Sequence, residues 1–261
     1  MMAKVFLTIF ICICSFSYAK GLSEAFNVRG HFETMQVSET GEILVAGGGT
    51  VHKISERGNI VATRSLNGNM PVAMEMSRNE IYFFMEGHQE MRIMGPGLSH
   101  RENISLEESG IENPGPAAKA GHEEYWVFDR DQGKFLLLDH NFNVRKKSDN
   151  LEPHALQKLE PVAARYYNNK LFVNNDGQEI FVLSRHGGFE RRLDARVSGN
   201  IQMADNRIFY IHNNRAKVMD INTGTAQRPD ITLPVSNARE YLIKDSKLYI
   251  LSSGGLRVYN I

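Results

Sequence analysis

The chain is 261 residues long, 42% hydrophobic and 23% charged, with 22 glycines and 8 prolines. That composition excludes a disordered, collagen-like or coiled-coil chain and is enough to bury a sizeable core. Thirty Lys and Arg balance thirty Asp and Glu, which excludes a globally basic nucleic-acid binder and an acidic tail protein.

In chain order the first element is an address. Lys4 leads into an apolar stretch over residues 5–16, and Ser17 and Ala19 set small residues before a cut at Lys20. A charged start, a short apolar run and a small-x-small site predict a cleavable secretory signal over residues 1–19. The run is too short to span a bilayer, which takes about 20 apolar residues. Cys12 and Cys14, the only cysteines, both lie inside it, so no disulfide, thiolate metal site or cysteine nucleophile is expected after cleavage. Ile11 and Ile13 precede them where lipidation needs a small residue. The expectation is an exported protein, periplasmic or extracellular, with no transmembrane segment in the mature chain.

The remainder, residues 20–261, repeats. Six segments combine a polar turn, a polar residue and a β-branched or aromatic run: 41–46 (GEILVA), 79–84 (NEIYFF), 123–128 (EEYWVF), 169–173 (NKLFV), 206–211 (NRIFYI) and 246–251 (SKLYIL). Their starts lie 38, 44, 46, 37 and 40 residues apart, the period of a four-stranded propeller blade. Each run meets a hairpin turn, at 47–49, 86–88, 131–133, 175–177, 213–214 and 253–255, rich in the Gly, Asn and Asp that tolerate positive φ. A partner strand, a second turn and a more polar strand follow, giving strands a to d of each unit. Strand b is apolar at nearly every position, as a strand covered on both faces must be. Strand d carries charge, as at Arg101-Glu102, Arg145-Lys146-Lys147 and Arg191-Arg192, where stray pairing must be blocked.

Closure is also legible. The last unit ends at Ile261 without a strand d, and a spare strand at 25–29 (AFNVR) precedes the first unit. Pairing the two predicts an all-β, six-bladed β-propeller of four-stranded antiparallel blades, its ring closed by the N-terminal strand, in one domain. Residues 35–46 (MQVSETGEILVA), continuing to Ile54 and Gly58, resemble a degenerate NHL-type blade, and 220–224 (DINTG) resembles the D-x-x-T-G turn of quinoprotein-like propellers. Gly47 stands where NHL blades often carry an acid, and Trp126 is the single tryptophan. Neither WD-type nor tryptophan-docked blades are matched, and no cofactor is implied.

In a propeller the b–c hairpins and d–a connections share one face. The hairpin tips here offer Glu86, His88, Asp129, Arg130, Asn175, Asp176 and His212. The two longest d–a connections are consecutive: 105–117 carries Glu107, Glu108 and Glu112, and 151–161 carries Glu152, His154 and Glu160. Long loops on a rigid scaffold are the usual place for binding, so an acidic lip contacting a protein partner is expected; two solvated insertions are the alternative.

Other chemistry is sparse. The nine histidines show no H-x-H or H-E-x-x-H spacing, so no metal is expected from local motifs. Residues 129–133 (DRDQG) resemble part of a calcium loop but lack its final Glu. There is no nucleophile elbow, P-loop or dinucleotide fingerprint, and 47–49 (GGG) joins two strands. The strand-b aromatics read as core, leaving Tyr166 and Phe189 as rings for a sugar. The expectation is a monomeric, non-catalytic scaffold that binds a protein partner through its loop face. Left open are a metal-dependent hydrolase or lyase with a channel site, and a glycan-binding module.

Overall fold

The computed structural model describes residues 22–261 apart from 72, 78, 86–88, 122, 198, 214, 228–232 and 236. The signal expected over residues 1–19, with Cys12 and Cys14, and the tip residues Glu86 and His88 lie outside the described residues.

Twenty-four strands form six separate four-stranded antiparallel sheets. The first blade is β2 (Thr34–Val37), β3 (Ile43–Gly47), β4 (Thr50–Ile54) and β5 (Ile60–Ser65). The second is β6 (Ala73–Met76), β7 (Ile81–Met85), β8 (Glu90–Met94) and β9 (His100–Ser105). The third is β10 (Pro114–Lys119), β11 (Tyr125–Asp129), β12 (Lys134–Leu138) and β13 (Val144–Lys147). The fourth is β14 (Pro161–Tyr167), β15 (Lys170–Asn175), β16 (Ile180–Ser184) and β17 (Phe189–Leu193). The fifth is β18 (Gln202–Ala204), β19 (Arg207–His212), β20 (Arg215–Asp220) and β21 (Ala226–Gln227). The sixth joins β22 (Ala238–Lys244), β23 (Lys247–Ser252) and β24 (Gly255–Asn260) to β1 (Ser23–Arg29) from the other end of the chain. The first strand of each blade is the inner one: β6 lies beside β2 and β10, β10 beside β14, and β18 beside β22. The chain is a six-bladed β-propeller.

The closure is as the missing strand required. β1 runs antiparallel to β24, with Phe26 opposite Val258, Val28 opposite Leu256 and Arg29 opposite Gly255. Val28 is buried in the cluster that joins the first and sixth blades. A Cβ on Gly255 would sit 2.2 Å from the Val28 carbonyl oxygen, so only glycine lets the two ends of the chain approach this closely.

Blade stacking explains the strand-b composition. β3, β7 and β11 are buried at all their positions. Each of four core clusters spans two successive blades, such as Phe83 with Leu44 and Val51, or Trp126 with Val173 and Phe181. A strand covered on both faces loses the in–out alternation of an ordinary antiparallel sheet. The hairpins obey the expected backbone rule too, with positive φ at Gly49, Gly133, Gly177 and Asn213. The departure from the NHL pattern at Gly47 is steric: a Cβ there would lie 2.0 Å from the His31 carbonyl oxygen.

Candidate functional site: the mouth of the central channel

Because neighbouring strands are antiparallel, the d–a connections and b–c hairpins emerge on one face. That face holds a cavity of about 920 Å³ at the channel mouth. Its wall comes from the starts of inner strands (Thr34, Val162, Ala238 to Glu240), from the connection carrying Arg196 and Asn200, and from His212 and Asn213. Met70, Val162 and Ile211 supply apolar surface. Arg196 and Arg239 are exposed, and among the described residues neither forms an ion pair. The Arg239 Nη1 donates to the Phe32 carbonyl oxygen at 3.4 Å. The Arg196 loop is braced from below, where the fully buried Asn174 donates from Nδ2 to the carbonyl oxygens of Val197 (3.1 Å) and Gly199 (2.6 Å).

The floor is a buried polar hub. The Glu240 carboxylate accepts from Asn200 Nδ2 (3.1 Å), Gln202 Nε2 (2.8 Å) and the Met35 amide (3.3 Å). Asn200 Nδ2 also donates to Thr34 Oγ1 at 2.8 Å, and Gln202 Nε2 to the Met35 carbonyl oxygen at 2.9 Å. One carboxylate thus ties the inner strands of the first, fifth and sixth blades together. Deeper in, Arg165 Nη1 stands 3.7 Å from Glu75 Oε1, and Lys119 Nζ lies 4.1 Å over the Tyr82 ring. Burial pushes both the Glu75 and the Glu240 carboxyls above the ordinary carboxylate range, and hydrogen bonds and the nearby Arg165 charge only partly oppose it. Burial likewise lowers Lys119.

The residues singled out in the sequence fall into three groups. Glu107, Glu108 and Glu112 are exposed on the connection into the third blade, the first two on a 3-10 turn at Glu107–Ser109. Among the described residues none of the three forms an ion pair with a cation. Glu152, exposed, begins a second turn at Glu152–His154, while Glu160 pairs with Lys158. His154 is engaged: its ring stacks on Phe189 at 3.8 Å and 7°, which covers one face of the ring suggested for a sugar. Asp176 and Arg130 are exposed, and His212 lines the mouth together with the hairpin residues Gly177 and Asn213.

Two tip residues are internal. Asp129 is 2% exposed, and its Oδ1 accepts from the amides of Asp131 (2.9 Å) and Gln132 (3.1 Å), capping its own hairpin. Asn175 is 0% exposed: it accepts from the Glu160 amide and donates to the Lys158 carbonyl oxygen (3.0 Å) and to Glu179 Oε1 (3.2 Å). Hairpin tips favour Asp and Asn because these side chains satisfy local backbone, and here that need consumes them. Arg196, Arg239, Asn200 and Glu240 were not read from the sequence. The available signal was a charge in four of the six inner strands, at Glu75, Lys119, Arg165 and Glu240, which a buried strand does not tolerate without partners.

No protein family matches this chain, and no curated protein does either. Among solved structures it is similar to selenomethionine-substituted virginiamycin B lyase from Staphylococcus aureus, at 12% identity over 87% of this chain and 79% of that one, with a TM-score of 0.60. The WD40 domain of Neurospora crassa Pan2 shares 11% identity over 88% of this chain and 82% of its own, at a TM-score of 0.58. BBS1N, in a complex with ARL6DN, shares 13% over 86% and 76%, at 0.56. At these identities the likeness is one of fold. Among the described residues no helix is long and apolar enough to cross a membrane, and no three His, Cys, Asp or Glu side chains gather as a metal group.

Proposed function

We propose that this chain is an exported scaffold that holds a protein partner across the face carrying the channel mouth. The observation that carries this reading is the mouth itself: a wide cavity with two exposed arginines at its rim that form no ion pair among the described residues, an apolar wall and a floor closed by internal hydrogen bonds. The acidic connection at Glu107, Glu108 and Glu112 lies on the same face, so the face carries both signs of charge. A partner of complementary pattern places acidic groups at Arg196 and Arg239 and basic groups at the glutamates. Such complementarity fixes orientation and speeds encounter. One similar structure, BBS1N, is in complex with a protein, ARL6DN.

The test is co-purification from the source cell. Tagged protein is expected to retain a specific partner that Arg196→Glu with Arg239→Glu, or Glu107→Lys with Glu108→Lys and Glu112→Lys, releases about tenfold or more. Capture unchanged in both variants overturns the reading.

A second reading is a metal-dependent lyase or hydrolase at the same mouth. It is favoured by His212 and Glu33 lining the cavity and by the lyases among the similar structures. Elemental analysis of the purified protein decides between the two. Stoichiometric divalent metal, lost in His212→Ala, is the result this second reading requires.

A further inference from the structure

The clefts between the outer parts of neighbouring blades are not charged alike around the ring. Between the second and third blades a cleft of about 730 Å³ is lined by Glu80, Glu102, Glu108 and Glu123 and by no Lys or Arg. Across β9, between the first and second blades, lies a cleft of about 390 Å³ whose lining is the reverse. Arg64 from β5, Arg92 from β8 and His100 from β9 line it with amide and hydroxyl residues and Met94, and no carboxylate does. It shares no lining residue with the channel mouth.

The blades beneath place the basic groups. Arg64 shares a face of β5 with Ala62, two residues earlier. Ala62 packs against the cluster that joins the first two blades, so the Arg64 side chain is turned toward the second blade. Among the described residues Arg64 forms no ion pair. Arg92 is tied down: its Nε pairs with Glu90, and its Nη1 donates to the Leu66 carbonyl oxygen of the first blade at 3.4 Å. Glu90 offsets the Arg92 charge but occupies only Nε. The Nη2 donors of a fixed guanidinium are left over, and Arg64 keeps the cleft positive. His100 Nε2 donates to Asn103 Oδ1 at 3.0 Å, which uses the amide oxygen and leaves Asn103 Nδ2 as a further donor.

We propose that this cleft binds a phosphate or sulfate monoester on a sugar-sized carrier. Its donors come from three strands in two blades and so meet the ligand from different directions. A tetrahedral monoester offers three free oxygens to them, where a planar carboxylate offers two. Guanidinium groups are the side chains best matched to such oxyanions. A volume of about 390 Å³ falls within the roughly 300–1,000 Å³ of small-molecule sites and exceeds what the oxyanion alone fills. Thr63, Ser65 and Asn67, also in the lining, supply polar groups for the hydroxyls of the carrier. The acidic cleft on the far side of β9 repels the same ligand and confines it to this one.

Isothermal titration of the purified protein with glucose phosphate and glucose sulfate tests this, with inorganic phosphate, acetate and glucose as comparisons. Both esters are expected to bind, the tighter of the two marking the source as a phosphorylated sugar or a sulfated glycan. Inorganic phosphate binds more weakly, and acetate and glucose give no binding heat. Arg64→Gln, an exposed change that leaves the thermal melt near the parent's, weakens the esters about tenfold or more, and Arg64→Glu abolishes binding. Arg196→Glu with Arg239→Glu leaves the affinity unchanged, because the mouth is a separate site. Neither ester binding at millimolar concentration overturns the proposal, as does affinity that survives Arg64→Glu or is lost in the mouth variant. Inorganic phosphate or acetate binding as tightly as the esters overturns it too.

Discussion

Removing residues 22–29 is expected to unfold the whole molecule rather than fray one end. β1 supplies the fourth strand of the sixth blade along its full length. Val28 is buried between that blade and the first, and Phe26 packs over Gly58 of the first blade's outer turn. Deletion exposes the edge of β24 and opens the junction on which both flanking blades close. Natural domains are stable by only about 5–15 kcal/mol, so losing a strand and its share of the core removes a large part of the total. Trp126, fully buried in the third blade and remote from the closure, gives the readout. A urea titration followed by its fluorescence should show the deletion variant unfolded or far less stable, and Val28→Ala destabilised by about 2 kcal/mol. A deletion variant with the parent's midpoint means the ring does not depend on this strand.

Glu240→Ala is expected to cost about 3 kcal/mol, the largest effect of any single side chain in the channel. It removes the one acceptor shared by Asn200, Gln202 and the Met35 amide and leaves those donors buried. Glu240→Gln keeps the shape and should cost less. It should also change the pH response. Burial raises the Glu240 carboxyl above 4.5 in the folded protein, so the folded state keeps a proton that the unfolded state releases. Stability from this group is therefore fully present below about pH 4.5 and declines as pH rises toward the folded value. Measured as urea midpoints, the parent should lose ground to Glu240→Gln as pH rises through that window. Glu75 moves in the same direction but is common to both proteins, so the difference isolates Glu240. Parallel pH curves would mean that the hub carboxyl is not held above its ordinary range.

The hub and the closing strand also explain why the face has a fixed geometry. Glu240 binds the first, fifth and sixth blades at the inner rim, while β1 binds the sixth to the first at the outer rim. The Arg196 and Arg239 loops hang between these two fixed points, and Asn174 braces the former. A partner or ligand at the mouth meets a preformed surface and loses little affinity to ordering it.

Much of the architecture was set by local rules that one sequence displays. A forty-residue period, turn residues tolerant of positive φ, and strand b without in–out alternation require blades packed face to face. An unpaired strand at each end of the array, one at 25–29 and one at Gly255–Asn260, requires a ring. The functional surface obeys a different logic. Arg196 and Arg239 sit in different blades, and the partners of Glu240 come from opposite ends of the chain, so only closing the ring brings them within hydrogen-bond reach. Asp129 and Asn175 are buried by bonds to their own hairpins and the adjoining connection, and their residue types suit an exposed tip and an internal brace equally well. Periodicity and turn chemistry act between near neighbours and can be read along the chain; the mouth of the channel is assembled across it.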